Sequence, residues 1–291
     1  MNTATISHSN SHPNRQSIQI ERIAFLLAGA IAVGFAGYWP TLPEAARPLI
    51  RLLLAALWLL LTWLAGSSAR LAAYRPVCLA FFAVSLGLWL AGLIGAWPLQ
   101  QLGLTTDSLL GMTVGKLSEV AAIVAAILVV NRLQSKALAE LYLRRGKLGR
   151  SLAIGSGVSA LLWLSFLAMG GWQAIAFVGT QRLVAALPLI LAFALANGFM
   201  EEVWFRGLYL NRFEHFVGAK SALVVTTIAF GALHLMSAYA GGNLLPFVAV
   251  TLLLGLACGF IVQSTHTLWG AVLAHTAGDV LVMLGYFWSL L

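Results

Sequence analysis

Three short stretches of an apolar chain carry residues able to do acid–base chemistry. The first, Asn197-Gly198-Phe199-Met200-Glu201-Glu202-Val203-Trp204-Phe205-Arg206-Gly207, sets two carboxylates and a guanidinium in a hydrophobic run. Phe230-Gly231-Ala232-Leu233-His234 and His275-Thr276-Ala277-Gly278-Asp279 add two imidazoles and a third carboxylate. At the centre of a spanning helix a charged residue costs roughly 2.5–3.5 kcal/mol on insertion scales, so it has to be paired, hydrated or functional. Helical spacing supplies partners at once: Glu202 and Arg206, Asn197 and Glu201, and His275 and Asp279 are each four residues apart and share a face.

Hydrolysis of a peptide bond needs a base for water, a donor for the oxyanion and an acid for the leaving amine. Glu201, set among Phe199, Met200 and Phe205, is the candidate base. His234 or His275 can polarise the water or stabilise the oxyanion, Asp279 can orient His275, and Arg206 can hold Glu202 or help to place a substrate. The same residue types bind zinc, with Glu201, His234 and His275 as the ligand set. Against a zinc site, no HExxH motif occurs, and side chains of the adjacent pair Glu201 and Glu202 diverge by about a third of a turn. The residues alone leave metal dependence open, a site with no cofactor standing beside one with zinc.

Each member also has a purely structural reading. A lone His in a spanning helix is often a hydrogen-bonding link between helices, and Glu202–Arg206 can be a structural pair. The complete set argues against that reading, because the desolvation cost grows with every member. Counting from flanking charges, Glu201 lies about 16 Å from Arg212 and His234 about 21 Å from Lys220. If the last helix starts near His266, His275 and Asp279 lie about 14 and 20 Å deep. Three helices thus bring their polar groups to mid-membrane.

The elements that must position these groups are set by composition. Of 291 residues, 60% are hydrophobic and 9% charged, against about 25% charged in a soluble domain, and the mean hydropathy is +0.91. Such a chain cannot cover itself with polar surface in water. Lipid offers backbone groups no partners, so spans must be helices or a closed barrel; unbroken Leu, Ala, Val and Phe runs without strand alternation choose helices. The expected fold is an all-α polytopic bundle of eight or nine spans: 23–39, 49–66, 77–97, 109–130, 151–170, 183–209, 221–239, 245–262 and 268–290. The first is read as a span and not as a cleaved signal peptide, for lack of a small-residue cleavage site. Cys78 and Cys258 fall inside apolar runs and read as buried hydrophobes. Gly155 and Gly157 read as points of close helix contact.

The organisation expected is a disordered cytoplasmic tail over 1–20, an N-terminal transmembrane region over 21–130, a basic linker or interfacial amphipathic helix over 131–150, and a C-terminal transmembrane region over 151–291. The net charge of +8 comes from Lys and Arg between the apolar runs. That pattern places the loops near 67–76, 131–150 and 210–220 and the N-terminus in the cytoplasm, with the loops near 98–107 and 240–244 opposite. No continuous basic face points to nucleic acid.

Glu201-Glu202-x-x-x-Arg206, Phe230-x-x-x-His234 and His275-x-x-x-Asp279 resemble the three signature motifs of the CPBP family, the CAAX proteases and bacteriocin-processing enzymes also called Abi. Thr265-His266-Thr267-Leu268-Trp269 looks like the family's approach to its third motif, and the resemblance covers about 187–284. It implies an intramembrane endopeptidase in which Glu201 activates water, His234 and His275 bind water or oxyanion, and Arg206 and Asp279 support them; Glu202 is counted with these among the catalytic residues. Asp279 stands where family members usually carry Asn, and an ionised Asp accepts hydrogen bonds but donates none. The family has often been labelled metalloprotease; a glutamate-dependent mechanism fits a buried carboxylate better. The implied partners are the bilayer, here a bacterial inner membrane, and a membrane-anchored peptide or protein. A transporter or channel, which also uses intramembrane ionisable residues, and a non-catalytic peptide-binding or immunity protein are the alternatives.

Overall fold

The computed structural model of the chain describes residues 15–38, 42–235 and 244–289. Most of the tail expected over 1–20 lies outside these residues, as does most of the loop near 240–244; α1 begins at Arg15. All regular structure among the described residues is helical. In chain order the helices are α1 (Arg15–Tyr38), α2 (Arg47–Ser67), α3 (Arg75–Ile94), α4 (Ala96–Leu102), α5 (Leu109–Leu133), α6 (Leu148–Phe166), α7 (Trp172–Val178), α8 (Thr180–Glu202), α9 (Asn211–Val217), α10 (Ala219–His234), α11 (Leu244–Thr265) and α12 (Trp269–Ser289).

Local sequence sets several boundaries. Arg-Pro pairs open α2 and α3, where a missing N–H costs nothing. The Ser108 hydroxyl caps α5 by accepting from the Gly111 N–H at 3.1 Å. Gly218, at φ +83°, separates α9 from α10 in a conformation side chains disfavour.

Seven helical stretches among the described residues are long and apolar enough to cross a membrane, and α10 and α12 are shorter apolar helices. Together they occupy the nine expected spans, and the chain is a multi-pass integral membrane protein. Its outward faces carry Leu53, Trp63, Leu161, Val184 and Leu253, all strongly exposed, as lipid contact requires. The expected span at 183–209 is part of one continuous helical run, Thr180–Val217.

Phe81 of α3 is fully buried and joins the two halves. Its ring lies 4.6 Å from that of Trp58 on α2, 5.3 Å from Tyr209 and 5.9 Å from Phe213 on α9. A Cβ at Gly29 would stand 2.3 Å from the Phe81 ring, so α1 admits the ring only through that glycine. Gly155 of α6 backs directly onto the main chain at Gly270 of α12, where a Cβ would come within 2.3 Å of the carbonyl. Gly157 does not make the expected close contact, since nothing lies within 4 Å of a Cβ there; it sits a little over half a turn round the helix from Gly155, facing away from α12. Cys78 and Cys258 are free and buried.

Residues 131–150, read as a linker or amphipathic helix, form a compact connection whose one regular element before α6 is a 3-10 turn, Leu138–Leu141. Leu141 and Tyr142 are buried. The Tyr142 hydroxyl donates to Glu214 at 3.0 Å, and the Arg212 guanidinium donates to Asn131 at 3.0 Å and Glu140 at 3.1 Å. The Leu268 N–H donates to the Tyr142 carbonyl, and the Thr267 hydroxyl to the Arg144 carbonyl. Leu141 and Tyr142 thus pack against the protein while Leu133 and Leu138 stay exposed, and the polar groups of the segment tie α5, α9 and the α11–α12 turn together.

Glu140 is the ionic centre of that connection. Its hydrogen bond from Lys136, aided by Arg212, holds its carboxyl below the usual carboxylate range against the effect of partial burial. A depressed folded value contributes stability above the unfolded value of about 4.3, lost as pH falls through the folded one. With a side chain 41% exposed, solvent screens the pair and the effect is small. Thermal melts in detergent should show Glu140→Gln less stable than the natural protein at neutral pH. The gap should close on acidification below the ordinary carboxylate range; one that persists there assigns the loss to packing.

Candidate active site

Glu201 and Glu202 end α8 and lead into a π-helical stretch, Val203–Leu210, whose residues are all buried. π turns are uncommon and frequently mark functional sites. Arg206 lies within this stretch, 1% exposed beside a wholly buried Glu202. Its Nη1 donates to Glu202 Oε1 at 2.8 Å, its Nη2 donates to the Gly255 carbonyl of α11 at 2.9 Å, and its guanidinium lies 4.5 Å from the centroid of the Phe230 ring. A Cβ at Gly255 would come within 3.1 Å of Phe230 and 3.4 Å of Arg206 Nη2, so glycine makes room for that reach.

The same Glu202 oxygen accepts from His275 Nδ1 at 2.7 Å. With Nδ1–H so engaged, His275 turns Nε2 toward Glu201 Oε2, 3.5 Å away. Asp279 Oδ1 is 3.8 Å from that nitrogen, too far for a hydrogen bond. His275 is therefore oriented by Glu202, in place of the Asp279 contact expected from spacing. His234 Nδ1 lies 2.7 Å from the Phe230 carbonyl, which only a donating N–H can satisfy; its Nε2 faces Glu201 Oε2 at 3.8 Å. Asn197 completes the cluster by donating from Nδ2 to Asp279 Oδ2 at 3.0 Å and Glu201 Oε1 at 3.3 Å.

All six residues singled out from the sequence, Glu201, Glu202, Arg206, His234, His275 and Asp279, thus meet in one buried cluster on α8, the π stretch, α10 and α12. Two nitrogens from different helices point at one carboxylate oxygen, Glu201 Oε2, which has no hydrogen-bond partner within the protein. The depth estimates need correction at α12, which begins at Trp269 and not near His266. His275 and Asp279 then lie only about 9 and 15 Å along it. The turn before α12 is broken at His266, at φ +55°, and is partly enclosed: Thr265, Thr267 and Leu268 are fully buried against the 131–150 connection, while His266 and Trp269 are exposed.

Two features were missed. Asn197 was noted as a neighbour of Glu201 but not as the bridge to Asp279. The second is a set of ionisable groups in the N-terminal half: the Tyr38 hydroxyl donates to Glu119 Oε1 at 2.5 Å, and Lys116 Nζ donates to Glu119 Oε2 at 2.6 Å. Lys116 and Glu119 are three apart in an apolar helix, and the insertion cost applied to Glu201 singles them out equally.

Fold and site together define a polytopic membrane protein with a largely buried Glu/His constellation. Residues 183–281 match the family model described as Type II CAAX prenyl endopeptidase Rce1-like, and this stretch is accordingly a CPBP-family domain. No curated protein and no solved structure matches the chain.

Removing Arg206 leaves Glu202 buried without its cation, a change that typically costs about 3–5 kcal/mol. Arg206→Met should lower the melting temperature in detergent sharply, and Gly255→Val should do so by displacing the guanidinium. A melt unchanged in both variants shows that the ion pair does not hold the site.

Proposed function

We propose that the chain is an intramembrane endopeptidase in which Glu201 activates water for attack on a peptide bond of a membrane-anchored peptide or protein. The observation that carries this reading is the unpaired Glu201 Oε2 facing Nε2 of both histidines; the family match supports the reaction class. His234, with Nδ1–H committed to Phe230, offers Nε2 as an acceptor that orients the water. Glu201 Oε2 takes the water proton as the oxygen bonds to the carbonyl carbon. The imidazolium form of His275, steadied by Glu202, donates from Nε2 to the oxyanion. Collapse of the tetrahedral intermediate breaks the C–N bond, and the proton held by Glu201 passes to the leaving amine. Arg206 keeps Glu202 in place for His275, and Asn197 and Asp279 hold the far side of Glu201.

Among the described residues no group of three or more His, Cys, Asp or Glu side chains is disposed to hold a metal ion. On this reading Glu201 itself activates the water, and no step passes through a metal. The apolar outer faces and basic loops suit a bacterial inner membrane with the N-terminus in the cytoplasm. The substrate is then a peptide or protein held in that bilayer, prenylated or not.

Purified protein in lipid, incubated with a library of membrane-anchored peptides and analysed by mass spectrometry, tests the reading. Glu201→Gln should insert and fold normally yet lose cleavage by at least about 100-fold, and a chelator should change nothing. Retained cleavage removes Glu201 as the base; loss on chelation only reassigns its role to a metal.

A further inference from the structure

The site as built from the family segment is over-supplied with negative charge. Glu201, Glu202 and Asp279 face one permanent cation, Arg206, and that guanidinium is committed to Glu202. The cluster around Glu119 in the N-terminal half has the opposite balance. Glu119 is the carboxylate there, and it is served by Lys116 at 2.6 Å, by the Tyr38 hydroxyl and, electrostatically, by Arg51. Arg51 donates to the main-chain carbonyls of Ala36, Gly37 and Leu88, which fixes it between α1 and α3. Two cations thus attend one carboxylate, and of the two Lys116 is the one on α5, beside α8.

Lys116 is where the two groups meet. Its ammonium lies 5.6 Å from the centroid of the Phe193 ring, one turn before Asn197 on α8, and Asn197 donates to both Asp279 and Glu201. Thr113, one turn earlier on α5, donates to the α8 carbonyl of Leu189 at 3.4 Å, so the helices are in register at this level. Lys116 interacts electrostatically with Asp279, and Tyr38 with Glu201.

We propose that Lys116 is a positioning residue of the site: from outside the family segment it supplies the positive charge that lets a third carboxylate, Asp279, stand beside Glu201 and Glu202. Asp279 kept in place holds Asn197, and Asn197 holds the Oε1 side of Glu201 so that Oε2 faces the histidines. The active site is on this account composite, completed by a helix that carries none of its reacting groups. The kinetic consequence rests on the endopeptidase reading; the charge coupling does not.

A double-mutant cycle tests it in the full chain in lipid or detergent. In peptide cleavage, Lys116→Met should lower kcat about tenfold with little change in KM in the natural background, yet by less than about twofold when Asp279→Asn is also present. Lys116→Arg should restore most of the loss. A residue that only packs α5 against α8 would give the same fold-loss in both backgrounds and no rescue by Arg, and that result overturns the proposal. Melting temperature is the second arm, independent of turnover: Lys116→Met should cost more stability with Asp279 than with Asn at that position. Equal costs overturn the charge coupling. Cleavage that survives Glu201→Gln, with the melting cycle still coupled, instead overturns the catalytic reading and leaves Lys116 as the partner of Asp279.

Discussion

A carboxylate inside a bilayer has to find its solvation within the protein, and Glu202 is the most extreme instance in this chain. It is wholly buried, and one of its oxygens receives both the Arg206 guanidinium and the His275 imidazole. Much else follows from meeting that requirement. Gly255 opens a path for the guanidinium to an α11 carbonyl, Phe230 lies beneath it, and the π stretch carries Arg206 through a wholly buried layer. With Glu202 so engaged, His275 has one orientation, and that orientation presents Nε2 to Glu201. The two adjacent glutamates thereby hold different tasks: one binds Arg206 and His275 through a single oxygen, while the other turns an oxygen toward Nε2 of both imidazoles.

The division is a matter of angular phase. Neighbouring residues on a helix point about 100° apart, so Glu201 and Glu202 cannot serve the same space. Asn197 four residues before Glu201 and Arg206 four residues after Glu202 each support the member on their own face. Asp279 is drawn into the first of these arrangements through Asn197, not into the second through His275.

Much of this was legible in the sequence, for identifiable reasons. Insertion cost singles out Glu201, Glu202, Arg206, His234, His275 and Asp279 without any structural knowledge, and helical spacing gave the Glu202–Arg206 pair correctly. Nine apolar stretches read as spans because length and hydropathy are local properties. What spacing could not give is choice among partners in three dimensions. His275 has Asp279 on its own helix and Glu202 on another, and the ring bonds the distant one. Depth along α12 was misjudged because a buried turn looks like a surface turn in sequence. Lys116 and Glu119 carry the same insertion cost but belong to none of the three motifs, so spacing gives them no partner in the site. The connection at 131–150, which reads in sequence as a linker or an interfacial helix, shows the other limit: Leu141 and Tyr142 pack against a turn that only the tertiary fold brings beside them.

Phe81 carries a consequence for how this protein can change. The stretch that matches a known family contributes Tyr209 and Phe213 to an aromatic knot whose other half is supplied by α2 and α3, seated through a glycine on α1. The boundary of recognisable ancestry is therefore not a boundary of folding. N-terminal helices of such a protein are free to drift in sequence along their lipid-facing sides, but not to be exchanged as a cassette: whatever replaces them must still deliver one ring to Tyr209 and Phe213.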